Sequence, residues 1–276
     1  MTETGHATSG TETAVASTDE TKACCAASYG SDAVALVLGE SYHPGGLTLT
    51  RRLADRLGLR SGESVMDVAA GPGATAKLLA SEFGVDVDGV DLGEATVATA
   101  RLAAAEAGLS ERVRFHLGDA ERIPLPDATF DALVCECAFC TFPDKATAAA
   151  EFARVLRPGG RVGITDVTIT DTGLPDELST LAAWVACIAD ARPVAEYSRI
   201  VGEAGLAVTH TERHDNAIAR MVEQIDARVR MLRMTAGKRL ADAGVDVDAV
   251  LRYCSLAKQA IDDGVIGYAL LIAERR

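Results

Sequence analysis

Five short apolar runs, SVMDVAA, VDVDGVDL, VRFHLGDA, FDALVCECA and GRVGITDV, recur between residues 64 and 167, separated by longer stretches whose apolar side chains fall at helical spacing. Runs of this kind are what strands buried on both faces look like, and their interleaving with amphipathic stretches predicts a parallel sheet wrapped by helices. Upstream, Leu36, Val37 and Leu38 and then Leu47, Leu49, Leu53 and Leu57 recur at helical spacing. The turn His43-Pro44-Gly45-Gly46 divides them into two short helices.

Downstream of Asp166 the pattern predicts a polar loop (TDTGLPDE), helices near 178–189 and 194–204, and a strand near 206–213. Two further helices, about 217–240 and 247–262, precede a last strand in VIGYALLIAER, and are the expected cap over a site. The whole reads as an α/β Rossmann-like fold with a seven-stranded, mostly parallel sheet and a C-terminal helical insertion. Residues 1–22, rich in Thr, Ser, Gly and Glu, are expected to be a disordered tail. Residues 23–60 form a helical lead-in with a Cys pair, 61–170 the core, and 171–276 the rest of the fold with substrate-side helices.

Composition narrows the function. A chain of 276 residues that is 48% hydrophobic can bury a full core without staples. Its formal net charge of -13, with no stripe of Lys or Arg, argues against nucleic acid as a partner. No apolar stretch approaches the roughly 20 residues that cross a bilayer, and the first residues lack a basic-then-apolar signal, so a cytoplasmic protein with no membrane partner is expected. Seven cysteines, an odd number, point to reduced thiols instead of a disulfide framework.

The first apolar run continues into Gly71-Pro72-Gly73-Ala74-Thr75 and then a helix, which is how a backbone approaches a ligand closely. Asp91 ends the second run about 20 residues later, where an acidic side chain can accept from ribose hydroxyls, and Leu92 beside it can cover an adenine face. Asp119, in Gly118-Asp119-Ala120, can accept from an adenine amino group. The loop lacks the third glycine of a nicotinamide dinucleotide fingerprint, since Ala76 stands there.

The combination DVAAGPG, VDL, GDAERIPLPDATFD and RVLRPGGRV, over about residues 60–170, resembles the class I S-adenosylmethionine-dependent methyltransferases. The resemblance implies S-adenosylmethionine held by Asp67, Ala69, Gly71, Gly73, Asp91, Leu92, Asp119, Ala120 and Glu136. Asp67 would stand near the methionine ammonium; its bland alternative is a solvated strand-end carboxylate.

The five histidines are scattered and form no dyad visible in the sequence, so general-base chemistry has no obvious carrier. Sulfur concentrates instead. Cys135, Cys137 and Cys140 sit at and beyond the end of the fourth strand, where a ligand of an open α/β sheet binds. Cys135 and Cys254 read as core; Cys137 and Cys140 run into the loop FCTFPDK, a spacing that zinc can also use.

CAFCTFPDK, RVLRPGG and WVACIADARPVAEYSRIVGEAGL resemble the matching stretches of arsenite methyltransferases, and Thr21 to Cys25 resembles that family's N-terminal cysteine region. The resemblance implies Cys137 and Cys187 as ligands of trivalent arsenic, here the substrate, with Cys140 an extra thiol. Cys24 and Cys25 would deliver the metalloid or reduce an intermediate, and a thiol reductant is an implied partner. The chain departs from that family in LGESYHPGG, which has no cysteine where a Cys-Gly often stands, and in Cys140, commonly Asn. Two alternatives stay open: a carbon, oxygen or nitrogen methyltransferase for small molecules with packing cysteines, and a metalloid-binding protein without turnover. Oligomeric state is not readable from the sequence.

Overall fold

The computed structural model describes residues 22, 26–27, 29, 31–39, 42–178, 188 and 190–276. The expected tail apart from Lys22, Cys24, Cys25, Cys187 and nearly all of the helix expected near 178–189 lie outside the described residues.

The strands are β1 (Ser64–Val68), β2 (Asp86–Asp91), β3 (Val113–Leu117), β4 (Phe130–Glu136), β5 (Leu156–Ile169), β6 (Leu206–Arg213) and β7 (Ile266–Arg275). They form one sheet in the order β3-β2-β1-β4-β5-β7-β6, as the apolar runs predict. The pairs from β3 through β5 are parallel, and β7 runs antiparallel to both β5 and β6. The chain winds outward from β1 to β3 on one side and from β4 onward on the other, so the order reverses between β1 and β4. That switch point opens a crevice at the strand carboxyl ends.

Helices α1 (Asp32–Leu38), α2 (Gly46–Leu57), α3 (Ala74–Leu78), α4 (Glu94–Glu106), α5 (Lys145–Val155), α6 (Val194–Glu203), α7 (Asp215–Thr235), α8 (Gly237–Asp242) and α9 (Val247–Asp262) surround the sheet. The expected division of the lead-in at the His-Pro-Gly-Gly turn holds. Helix α2 buries Leu49, Leu53 and Leu57 with a polar intruder, Thr50, fully buried among them. The expected helix at 217–240 is two, because the chain breaks at Ala236 between α7 and α8.

The LRPGG segment is an irregular entry into β5: Leu156 pairs with Phe130, yet the next pair is Arg161 with Ala132. Gly159 takes the left-handed backbone, φ 75°, that lets the extra residues loop out. Met66 in β1, Leu133 in β4 and Phe139 just beyond it are fully buried in and beside the two strands that flank the switch point. A crevice floored by close-packed side chains holds its rim groups in fixed positions.

Candidate active site

The loop after β1 is folded by backbone that side chains rarely adopt. Ala69 (φ 56°), Gly71 (φ 54°) and Gly73 (φ 81°) are all left-handed, which turns the chain sharply into α3. A Cβ on Gly71 would meet nothing within 4 Å, because that position faces the open pocket. Gly73 is not on the pocket wall; a Cβ there would lie 2.5 Å from Phe115 Cζ. Of the two expected cofactor glycines, therefore, Gly71 faces the crevice and Gly73 serves the turn and its packing.

Two carboxylates dominate the inner wall. Asp67 is 2% exposed, so it is not the solvated strand-end Asp that was one reading of the sequence. Glu136, which ends β4, accepts at Oε1 from the Thr50 hydroxyl (2.9 Å) and the Thr75 hydroxyl (2.8 Å). Its Oε2 stands 3.6 Å from His43 Nδ1. Asp67 Oδ2 and Glu136 Oε2 are both buried without a hydrogen-bond partner among the described residues. Burial, then the negative charges of Glu136 and Asp91, push the Asp67 carboxyl well above the usual carboxylate range. Orphaned acceptors of this kind are costly unless something fills them, and a cation bearing N-H donors is what two adjacent carboxylates would take.

On the opposite rim, Asp91 Oδ2 accepts from the Gly71 N-H and Oδ1 from the Gly93 N-H, each at 2.9 Å. Burial raises its pKa against the pull of these backbone donors. Leu92, Asp119 and Ala120 line the same pocket. Asp119 Oδ2 is 2.8 Å from the ammonium of Lys22, which also pairs with Glu121. The end of the expected tail thus reaches the site.

The described cysteines divide. Cys135 is fully buried, and burial pushes its thiol well above the ordinary value; Cys254 is buried and pushed up to about 11. Both have the inert character of core thiols. Cys140 is 1% exposed and absent from the pocket wall, with its backbone N-H donating to Asp166 Oδ2 at 2.8 Å. Cys137 alone of the four lines the cofactor pocket, half-buried and at φ 53°, a left-handed backbone unusual for cysteine.

Beyond Cys137 lies a second cavity of about 430 Å³, walled mainly by apolar side chains of α1, α7 and α9. Cys137, Tyr29 and Tyr42 line both spaces and so mark their junction. Ile188, the residue after Cys187, lines this cavity too. The buried Lys145 ammonium pairs with Asp190 and donates to the Phe142 carbonyl at 3.1 Å, tying that part of the chain to the loop that follows Cys137. No group of three or more His, Cys, Asp or Glu suited to a metal ion occurs among the described residues.

Residues 66–164, which supply the strand ends and loops of this pocket but not Lys22, Tyr29, Tyr42 or His43, match the sequence pattern of the family described as "Methyltransferase domain". The chain carries a methyltransferase domain. Over 164 residues it is 34% identical to Methyltransferase GfsG of Streptomyces halstedii, covering 58% of this chain and 59% of that one. It is 32% identical over 158 residues to an arsenite methyltransferase of Halobacterium salinarum, covering 56% of this chain and 40% of the relative. The chain thus spans about three fifths or less of the length of these curated relatives. The fold matches phosphoethanolamine N-methyltransferase 2 of Haemonchus contortus, solved with S-adenosylhomocysteine, with a TM-score of 0.75 at 21% identity over 88% of this chain and 56% of that one.

The methyltransferase domain has the class I fold, whose cofactor is S-adenosylmethionine, and the residues present fit it. The orphaned oxygens of Asp67 and Glu136 could take its ammonium, Asp91 and Asp119 lie on the same pocket wall and could accept from its hydroxyl and amino groups, and the open face of Gly71 leaves room for it.

Sequence reasoning missed His43, Thr50, Thr75, Tyr29 and Tyr42. The available signal was Thr50: a hydroxyl among the leucines of an amphipathic helix needs a buried partner, here Glu136. His43 was hidden in a turn that reads as mere punctuation, 93 positions before the glutamate it faces.

Proposed function

We propose that this chain transfers the methyl group of S-adenosylmethionine to trivalent arsenic, as arsenite or methylarsenite, held by cysteine thiolates. The observation that carries the proposal is Cys137: a half-buried thiol in left-handed backbone at the junction between the cofactor pocket and the acceptor cavity. Cys187 is the second ligand in this reading, supported by the position of its neighbour Ile188 on the same cavity. Cys24 and Cys25 act in delivery or reduction. Cys140, buried behind the wall, is outside the acceptor site. Likeness to the Halobacterium arsenite methyltransferase is compatible with this substrate, while other relatives include a sterol 24-C-methyltransferase and a phosphoethanolamine N-methyltransferase.

S-adenosylmethionine supplies an electrophilic methyl on a sulfonium. The chain's own residues then bind and orient. Asp67 and Glu136 would hold the ammonium, Asp91 the ribose hydroxyls and Asp119 the adenine amino group, while Cys137 at the junction would hold the acceptor beside that pocket. Arsenic brings its own lone pair, so the transfer needs placement more than proton removal, and placement carries most of the rate. The apolar side chains around the junction exclude water.

A second reading has a specific observation behind it. His43 lies in the pocket wall, its Nδ1 3.6 Å from Glu136 Oε2 and its Nε2 3.4 Å from the Thr50 hydroxyl, and an imidazole there is the group a hydroxyl- or amine-bearing organic acceptor would use as its base. The purified chain, incubated with S-adenosylmethionine, a thiol reductant and arsenite or methylarsenite, is expected to release methylated arsenic measured by element-specific chromatography. Loss of that product in Cys137→Ser but not in His43→Ala supports the arsenic reading. Absence of product despite measured cofactor binding would turn the assignment to the organic acceptor.

A further inference from the structure

Helix α7 presents two chemically different edges. Met221 and Ile225, with Ile218 and Val222, line the apolar cavity. Arg220, Gln224 and Arg228, each four positions from the next, lie on one stripe of the helix and line a polar cleft of about 910 Å³ against the turn that opens α2. Arg52 and Arg213 also line it, and Asp215 is the one carboxylate in its lining among the described residues.

Four guanidiniums against one carboxylate is a local reversal of sign in a chain of net charge -13. Arg52 and Arg213 are answered by Glu212 at 2.9 Å and Asp215 at 2.7 Å. Arg220 has no carboxylate partner among the described residues. Arg228 packs against Gly39 and makes one hydrogen bond among the described residues, to the Val37 carbonyl at 3.4 Å. Among the described residues, two cations thus face the cleft without a counter-charge. Leu38, Met221 and Ile225 line both spaces, so the cleft and the apolar cavity meet along one edge of α7.

We infer that the joined spaces bind an amphipathic organic anion, with its anionic head on Arg220 and Arg228 and its apolar body in the cavity that runs to Cys137. Charge decides the head, because a guanidinium offers paired N-H donors that match a carboxylate or phosphate. The lining decides the body: an alkyl or aryl group leaves water for a wall of Val, Ile, Leu and Met side chains. The apolar body shares the cavity that the proposed function gives to the acceptor, but its binding is measured without methyl transfer, so a failed methyl-transfer assay and a failed binding assay are told apart.

The test is calorimetry on the full chain with three probes below their aggregation limits: decyl phosphate, decanol and inorganic phosphate. Decyl phosphate is expected to bind at least tenfold more tightly than either of the others. Arg220→Glu, at an exposed position that packing does not need, is expected to weaken decyl phosphate at least tenfold and leave decanol within about twofold. Equal affinity for decyl phosphate and decanol, or no change in Arg220→Glu, would overturn the anionic half; equal affinity for decyl and inorganic phosphate would overturn the apolar half.

Discussion

The cofactor pocket and the acceptor cavity share Cys137, Tyr29 and Tyr42 and are otherwise built by opposite means. The first is made mostly of strand ends and tight loops from one stretch of chain, with polar groups fixed by backbone: Asp91 is held by two N-H donors and Ala69 and Gly71 by their left-handed torsions. The second is made of apolar side chains from α1, α7 and α9, brought together from both ends of the sequence. Recognition of a charged, invariant ligand needs the rigidity of the first; accommodation of an acceptor needs only the shape and dryness of the second. In the proposed function, methyl transfer therefore turns on Cys137, the one thiol among the described residues that lines both.

The sharpest way to break that division is Cys137→Ser. Sulfur gives way to a harder oxygen at the same place, so methyl transfer to methylarsenite is expected to fall by about a hundredfold or more, the scale on which lost positioning acts. Cofactor affinity, measured by calorimetry, should stay within about twofold. A parallel loss of cofactor affinity would mean that the thiol serves the cofactor side, and the two halves would not be separable.

Asp67→Asn probes the other half. A charge-assisted hydrogen bond is worth about 1.5–3 kcal/mol, so S-adenosylmethionine affinity is expected to fall by about ten- to a hundredfold. The folded chain without cofactor should meanwhile become more stable near neutral pH, since the variant removes a buried carboxyl whose ionisation is opposed by burial and two neighbouring carboxylates. Weakened binding together with a raised melting temperature is the signature of a group kept for its ligand; unchanged affinity would remove Asp67 from the ammonium site.

The same group sets a pH dependence. Its folded pKa is raised, so without cofactor the chain loses stability as pH rises from the ordinary carboxylate value toward that raised pKa. An ammonium beside it favours the charged form. Cofactor affinity is thus expected to fall as pH is lowered through the raised pKa, by no more than about tenfold per pH unit for one proton. Calorimetry in buffers of different ionisation enthalpy reads the proton released on binding; the slope should vanish in Asp67→Asn.

The contrast between the halves also explains what the sequence disclosed. Asp67, Gly71, Asp91 and Asp119 were legible because a parallel sheet delivers each to the crevice by its place at a strand end, a local property of pattern. Glu136 was legible too, but its polar partners Thr50, Thr75 and His43 were not, since they sit on α2, α3 and a turn and only packing joins them to β4. The cap was legible as two helices between the last strands, but not the sidedness of α7, whose apolar and cationic edges acquire meaning only against α1 and α2. Spacing also placed Cys137 and Cys140 together, and three residues of chain separate their fates: the left-handed turn at Cys137 leaves its thiol on the wall, and the short helical turn at Phe139–Thr141 buries the next one.

That separation gives the smallest and most discriminating prediction. Cys140→Ala removes one buried sulfur from a close-packed region and is expected to cost about 1 kcal/mol, at the low end for core truncations. For a chain of this size that is a fall in melting temperature of about 2–4 °C. Methyl transfer should stay within about twofold, because the thiol does not reach the wall and its backbone N-H, which holds Asp166, is untouched by the substitution. A loss as deep as that of Cys137→Ser would place both sulfurs on the acceptor, and the loop between them would have to move for catalysis. With a small stability cost and intact turnover, the boundary between core thiol and working thiol falls between residues 137 and 140, and depends on a single left-handed residue.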